Sequence, residues 1–275
     1  MSAVTVVGAR GFIGSHLVRE LAARGREARV LARGDAVVGP LGTVVYCAGV
    51  TADFRRFPYR AVRAHAVDLM PLLEHGDFER LVYLSSTRVY GLAPANTGED
   101  AALAVRPADP DHLYNASKIM GESLVAASGR PAHVLRLSNV VGVDPAGGSF
   151  LSQVVREAVA AAGVTLRTAL SSEKDYVGIA DVVRAILAVV EGRARHAVYN
   201  VASGTNTSHG AIVEALAGLT GATVEVVPGA PAVVFPRIEV GRLCRDVAWG
   251  PASVLEQLPA LVAAYRSTSI MNVPR

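Results

Sequence analysis

Tyr114 and Lys118 are the residues whose types and spacing point most directly to proton chemistry. They bound the segment Tyr114-Asn115-Ala116-Ser117-Lys118, and a spacing of four puts both side chains on one face of a helix. A free tyrosine has a pKa near ~10, too high for ready proton exchange at neutral pH. An ammonium beside it stabilises the phenolate and lowers that value. Lys118 and Lys174 are the only lysines among 27 basic residues, so a lysine completing this pair is informative. A hydroxyl that holds a carbonyl or alcohol oxygen while tyrosine gives or takes the proton would complete the set. Leu84-Ser85-Ser86-Thr87-Arg88-Val89-Tyr90-Gly91, at the end of an apolar run, offers such hydroxyls.

A second motif supplies a partner for that chemistry. Gly8-Ala9-Arg10-Gly11-Phe12-Ile13-Gly14 follows a β-rich run and opens a helical stripe of Ile13, Leu17, Val18 and Leu21, with Gly25 placed to end the helix. In a strand–turn–helix setting the first glycine permits the turn. The second lets the backbone approach a pyrophosphate, and the third lets the helix pack on the strand. The helix N-terminus adds free N–H groups and positive dipole. Gly8, Gly11 and Gly14 therefore predict a dinucleotide site. An acid about 20 positions onward would bind the ribose 2′-hydroxyl of NAD. Ala32 stands there instead, followed by Arg33. A guanidinium suits a 2′-phosphate, and Arg10 lies in the turn facing the same group. The two arginines favour NADP(H), with NAD(H) as the alternative.

The elements that must position these residues alternate along the chain. Strands are predicted over 3–7, 28–32, 43–48, 80–85, 133–137 and 197–201, and helices over 59–75, 113–127, 147–162, 179–191 and 208–219. That alternation implies an α/β fold with a parallel sheet, right-handed crossovers and helices on both faces. Stretches richer in Pro and Gly around 91–110, 142–149 and 227–236 read as loops or lobe boundaries. With 51% hydrophobic and 19% charged residues over 275 positions, the composition excludes a disordered chain. No apolar run reaches the ~18 residues of a membrane span. A net charge of +3 is too mild to argue for nucleic acid. The N-terminus carries no basic segment or cleavage site, and Cys47 and Cys244 form no framework, so the reading is a reduced, cytoplasmic protein. No metal site is assigned.

Taken together, these motifs resemble the extended short-chain dehydrogenase/reductases, the NAD-dependent epimerase/dehydratase family. The resemblance runs nearly end to end. It takes in the glycine turn, Ser85 to Gly91, the Tyr114/Lys118 pair and Leu135-Arg136-Leu137-Ser138-Asn139-Val140-Val141-Gly142. It continues through Lys174-Asp175-Tyr176-Val177-Gly178-Ile179-Ala180-Asp181-Val182, Tyr199-Asn200-Val201-Ala202-Ser203-Gly204 and the tail around Trp249. It implies a Rossmann-type doubly wound parallel sheet over 1–142 plus about 178–205, and a small C-terminal substrate lobe over about 143–177 plus 206–275. By matching position it makes Ser86 the catalytic hydroxyl, with Thr87 beside it. Phe12, Ile13, Cys47, Ala48, Gly49 and Leu137 join the cofactor site, while Asn139 and Arg237 contact the substrate's phosphates.

The chain also departs from that pattern. The family normally has a helix, a third strand and another helix between Ala32 and Thr43, where this chain has room only for a loop. The second strand then becomes a sheet edge, which a partner chain or the C-terminal lobe is expected to cover. His65 stands in place of a usual asparagine and reads as a histidine satisfied by backbone. Thr87-Arg88 replaces the Asp-Glu that 4,6-dehydratases of the family carry after the catalytic hydroxyl. The resemblance thus implies an NADPH-dependent reductase of a keto sugar, a nucleotide-linked 4-keto-6-deoxy sugar, and a homodimer. The alternatives are a nucleotide-sugar 4-epimerase with bound NAD and a non-catalytic NADP-sensing regulator.

Overall fold

β1 (Val4–Val7) is four residues of β-branched chain that lead into the glycine turn and helix α1 (Phe12–Ala23). It pairs in parallel on both sides, with β2 (Ala28–Leu31) and with β3 (Thr43–Tyr46). The computed structural model describes residues 3–32, 34–35, 37–50, 54–91, 94–144, 148–160 and 163–271, with side chains to residue 267. The chain continues through α2 (Pro58–His65), α3 (Met70–His75), β4 (Arg80–Ser86), α4 (His112–Ala127), β5 (Ala132–Leu137) and β6 (Asn139–Val141). There follow α5 (Phe150–Ala160), β7 (Gly163–Leu166), β8 (Glu173–Gly178), α6 (Ile179–Val190) and β9 (Val198–Val201). The last elements are β10 (Asn206–Ser208), α7 (His209–Thr220), β11 (Thr223–Val226), α8 (Gly241–Val247) and α9 (Val254–Met271).

The main sheet runs β2-β1-β3-β4-β5-β9, with every pairing parallel. From β1 the chain moves to one side for β2, then returns to the other side for β3. That reversal opens a crevice at the carboxyl ends of β1 and β3, where ligands of doubly wound sheets bind. Alternation along the strands sorts their side chains to two faces. Val6, Val45 and Val82 pack with Leu17 and Leu21 of α1 and the apolar face of α6. Val44, Leu81 and Tyr83 pack with Leu72 of α3 and Val125 of α4. The polar Thr5 is tolerated inside β1 because its hydroxyl donates to Leu41 O at 2.7 Å.

Among the described residues no strand or helix lies between Leu31 and Thr43, as the sequence length there predicts. β2 is accordingly a sheet edge. The chain's own connection lies beside this strand. Arg29 of β2 donates to Val38 O at 3.1 Å and to Pro40 O at 3.4 Å, while Asp35 accepts from Ala32 N–H at 2.7 Å and tightens the turn. The helix predicted over 59–75 is another correction. It breaks into α2, a 3-10 turn Val67–Leu69 and α3. Ala66 leaves helical backbone at φ −128°, and a proline opens α3, the position where its missing N–H is harmless.

Two smaller sheets, β10-β8-β6 and β11-β7, accompany the main one. They adjoin a separate core that includes Val154, Leu166, Tyr176, Leu216, Leu258 and Tyr265. These five strands are three to six residues long and are not among the strands predicted from the sequence. Among the described residues, no helix is long and apolar enough to cross a membrane.

Candidate active site

The glycine turn is as tight as its spacing predicts. Gly8 has φ +82°, and a Cβ there would stand 2.8 Å from Ala48 N. A Cβ on Gly14 would stand 2.4 Å from Gly8 O, so α1 approaches β1 only because that atom is missing. Gly11 is the N-cap of α1, with no side-chain cap and no acidic residue in the first turn. The helix therefore presents unsatisfied N–H groups and an uncompensated dipole into the crevice, a surface that fits a pyrophosphate. Phe12 packs edge-on against His16 at 5.1 Å, Ile13 packs on the core beneath the sheet, and Arg10 is exposed on the turn. Arg33 lies outside the described residues.

The carboxyl end of β3 joins this turn to the proton-transfer pair. Gly49 is close to both His65 and Lys118: the Cβ position at Gly49 is 3.3 Å from His65 Nε2 and 3.8 Å from Lys118 Nζ. Cys47, in the same stretch, is held as a thiol, since burial pushes it up to about 12 against the opposing pull of Lys118.

Tyr114 and Lys118 are both buried on α4, at 3% and 5% exposure. Lys118 Nζ donates to Leu84 O at 2.8 Å and faces the Tyr83 ring at 5.3 Å. Burial pushes this ammonium down to about 7, with the Glu122 carboxylate opposing the shift. His65 meets Tyr114 edge-on at 5.2 Å. Ser117 donates its hydroxyl to Tyr114 O at 2.7 Å, so the 2.9 Å contact between Ser117 and His65 has Nδ1–H as donor. Nε2 then accepts from Val50 N–H at 3.4 Å. Both nitrogens are thus occupied, and burial, with the Lys118 charge, pushes the ring down to about 2. His65 is a neutral strut, held by one backbone group, as expected, and by one hydroxyl.

The two serines at the end of β4 separate cleanly. Successive strand residues point to opposite faces. Ser85 is buried and donates to Glu122 Oε1 at 2.5 Å. Ser86 is half-buried, and its Oγ accepts from Arg88 N–H at 3.3 Å, which leaves its own proton to give. In register, Ser86 stands beside Leu137 at the end of β5, and Thr87 opens the 3-10 turn Thr87–Tyr90. The remaining two predicted residues sit toward the second set of strands. Asn139 donates to Asp175 O at 2.8 Å, and Arg237 donates through Nε to Gly204 O at 2.6 Å. Arg237 lines a cavity of about 670 Å³ with Asn96, Ser203 and Glu239, whereas a cavity of about 360 Å³ beside Tyr114 is lined by Phe54, Tyr59 and Leu113.

Sequence reasoning missed a buried network behind α4. Glu122 pairs with Arg136 at 2.7 Å, and Arg136 also donates to Tyr90 Oη at 2.9 Å and to Glu99 O at 3.1 Å. Tyr90 in turn donates to Asn200 Oδ1 at 2.9 Å. The available signal was an acid on the helix and an arginine inside an apolar strand. Each charge needs a partner if buried.

A family profile described as NAD dependent epimerase/dehydratase family matches residues 4–202. The chain is 29% identical over 205 residues to dTDP-6-deoxy-L-talose 4-dehydrogenase (NAD(P)(+)) of Kitasatospora kifunensis, a match covering 69% of this chain and 64% of that protein. It is 29% identical over 182 residues to UDP-glucose 4-epimerase of Azospirillum brasilense, covering 52% and 51%. The chain therefore matches less than two thirds of each curated relative's length. Among solved structures, RMD from Pseudomonas aeruginosa complexed with NADPH superposes with a TM-score of 0.79 at 23% identity, over 97% of this chain and 100% of that one. The profile match spans the glycine turn, the serine-bearing strand and the Tyr114/Lys118 helix, and the chain belongs to the NAD dependent epimerase/dehydratase family.

Proposed function

We propose that this protein reduces the keto group of a nucleotide-linked sugar with NADPH. The observation that carries the reading is the burial of Tyr114 and Lys118 on one face of α4, beside a strand end where Ser86 retains a free hydroxyl proton. A nicotinamide dinucleotide, when bound, supplies hydride chemistry. Ser86 donates to the carbonyl oxygen and holds it, and Tyr114 delivers the proton that turns that oxygen into a hydroxyl. Lys118 stabilises the phenolate left behind. Gly8, Gly11 and Gly14 seat the pyrophosphate. Leu137 and the Cys47-Ala48-Gly49 end of β3 border the nicotinamide half. Asn139, just before the lobe of about 143–177 plus 206–275, and Arg237 within it serve the substrate's phosphates.

Two features favour reduction within the family. Thr87 and Arg88 follow Ser86, so no carboxylate stands there to drive dehydration. Among the described residues the adenosine side has no strand or helix between Leu31 and Thr43 to clamp a resident dinucleotide, which suits a cofactor that exchanges at each turnover. Arg10, and Arg33 beyond the described residues, support NADPH over NADH. The 4-dehydrogenase relative supports a 4-keto-6-deoxy sugar as the substrate class. The epimerase relative favours a second reading, 4-epimerisation with retained NAD.

The test is NADPH consumption on a panel of nucleotide-linked 4-keto sugars, with Tyr114→Phe as the comparison. That change removes the proton donor but keeps the ring, and should lower turnover by about 10²–10⁴-fold while NADPH affinity stays close to wild type. A variant retaining more than about a tenth of the rate would remove Tyr114 from the role. Release of bound NAD from the purified protein, together with interconversion of 4-epimers, would replace reduction by the second reading.

A further inference from the structure

Arg88 is a cation in the wall that faces Tyr114, and its nearby acid is committed to another arginine. It stands two residues after Ser86, in the 3-10 turn Thr87–Tyr90. Its guanidinium carbon lies 4.9 Å from the centre of the Phe54 ring and 5.6 Å from that of Tyr114. Its Nε is buried and has no hydrogen-bond partner among the described residues. The acid closest to hand is Asp111, the N-cap of α4, but Arg55 already holds both of its oxygens, at 2.7 and 2.5 Å. Burial pushes the Arg88 guanidinium down and the like charge of Arg55 adds to that, while Tyr114 and Asp111 pull the other way; Lys174 is itself pushed down by burial and by Arg88. A guanidinium stays protonated in proteins nonetheless. The fold thus keeps a half-buried guanidinium over a phenol ring, with its nearby carboxylate bonded to Arg55 instead.

We propose that Arg88 is a positioning residue that acts through Tyr114, a second and permanent cation that stabilises its phenolate and makes it a readier proton donor. The inference rests on the reading of Tyr114 as the proton donor. A cation over an aromatic face is attracted by the ring, and more strongly once the ring carries negative charge. Lys118 alone is a compromised source of that charge. Its ammonium is fully buried, committed to Leu84 O and pushed down to about 7, so near neutrality part of the population is uncharged. Arg88 does not titrate there.

The other charged or titratable groups around Tyr114 leave this assignment intact. His65 on α2 is held neutral down to about 2. Asp111 is kept below the usual carboxylate range by its bonds to Arg55, and that pair stays ionised at neutral pH. Tyr83 on β4 is pushed well above the normal tyrosine value by burial. Lys174 on β8 acts on Arg88. Lys118 is left as the neighbour that titrates near neutrality.

The experiment is a pH titration of phenolate absorbance on the whole protein, with Tyr114→Phe as the blank, so that the difference isolates one tyrosine among eight. Arg88→Gln should move that midpoint up by about one unit, and Arg88→Lys should return most of the shift. Arg88→Met, whose unbranched stem still fills the space between the two rings, repeats the test without charge should Arg88→Gln fold poorly. A midpoint unmoved in both uncharged variants overturns the inference. So does an equal upward shift in Arg88→Lys, because packing rather than charge would then set the value. The titration needs no substrate, so it can fail while Tyr114→Phe still abolishes turnover, and the two outcomes separate this inference from the reaction it serves.

Discussion

Arg136 and Arg88 are two arginines that the chain treats in opposite ways. Arg136 is buried behind α4, and each of its three guanidinium nitrogens has a partner. Its guanidinium spans the Glu122 carboxylate, and one nitrogen reaches both Tyr90 and Glu99 O. Arg88 is half-buried in front of the same helix, with its Nε unpartnered and like charges nearby. The first arrangement is architecture. It locks β5 and the end of β4 to the helix that carries Tyr114, and Ser85 joins it through Glu122. The second leaves positive potential beside Tyr114, the proposed proton donor. The lesson is that a buried charge whose nitrogens all find partners fixes position, whereas one left short of partners is a candidate for chemistry.

The sharpest way to break this contrast is Arg136→Met. Removing one partner of a buried pair strands the other, so the variant should lose about 3–5 kcal/mol of stability, read from denaturant midpoints. The Arg88→Met variant should lose much less, because no carboxylate is left behind. Comparable losses from the two substitutions would show that the arginines do the same structural job.

A second test sets stability against function at Lys118. Its folded pKa of about 7 lies below the ordinary lysine value. Between that value and ~10.4 the unfolded chain binds a proton that the folded chain does not, so stability rises with pH across this window. Below about 7 the penalty is fully present. Lys118→Met should therefore raise the melting temperature at pH 6 by about 5 °C while abolishing turnover, and the gain should fade toward pH 10. A pH-independent difference between variant and wild type would mean that the ammonium is not the strained group.

The smallest expected effect concerns the exposed end of the cofactor crevice. Arg10→Ala should narrow the preference for NADP(H) over NAD(H) by about two- to fivefold in calorimetric titration, since an exposed ion pair is weak. An unchanged preference would assign the discrimination elsewhere on that flank.

Much of this site was legible as spacing. Tyr114 and Lys118 share a face because a helix repeats every 3.6 residues, and Gly8, Gly11 and Gly14 are demanded by one turn. The missing strand after β2 followed from chain length alone, because about ten residues cannot hold two helices and a strand. The strands β6, β7, β8, β10 and β11 were not legible, four of them because polar or charged residues interrupt any apolar run, nor was the break at Ala66, because the helical stripe masked the proline.

What the sequence determined by itself lies within single elements or between immediate neighbours, where covalent geometry fixes which side chains align. Only the tertiary structure decided which serine faces the crevice, which histidine nitrogen carries the proton, and that Glu122 belongs to Arg136 while Arg88 Nε has no hydrogen-bond partner among the described residues. Those outcomes join residues on different elements, 14 positions apart in the chain for Glu122 and Arg136 and 52 for His65 and Ser117. Such a pairing is set by how helices and strands pack, and the burial that packing imposes gives the same side chain its charge, its partner or its lack of one.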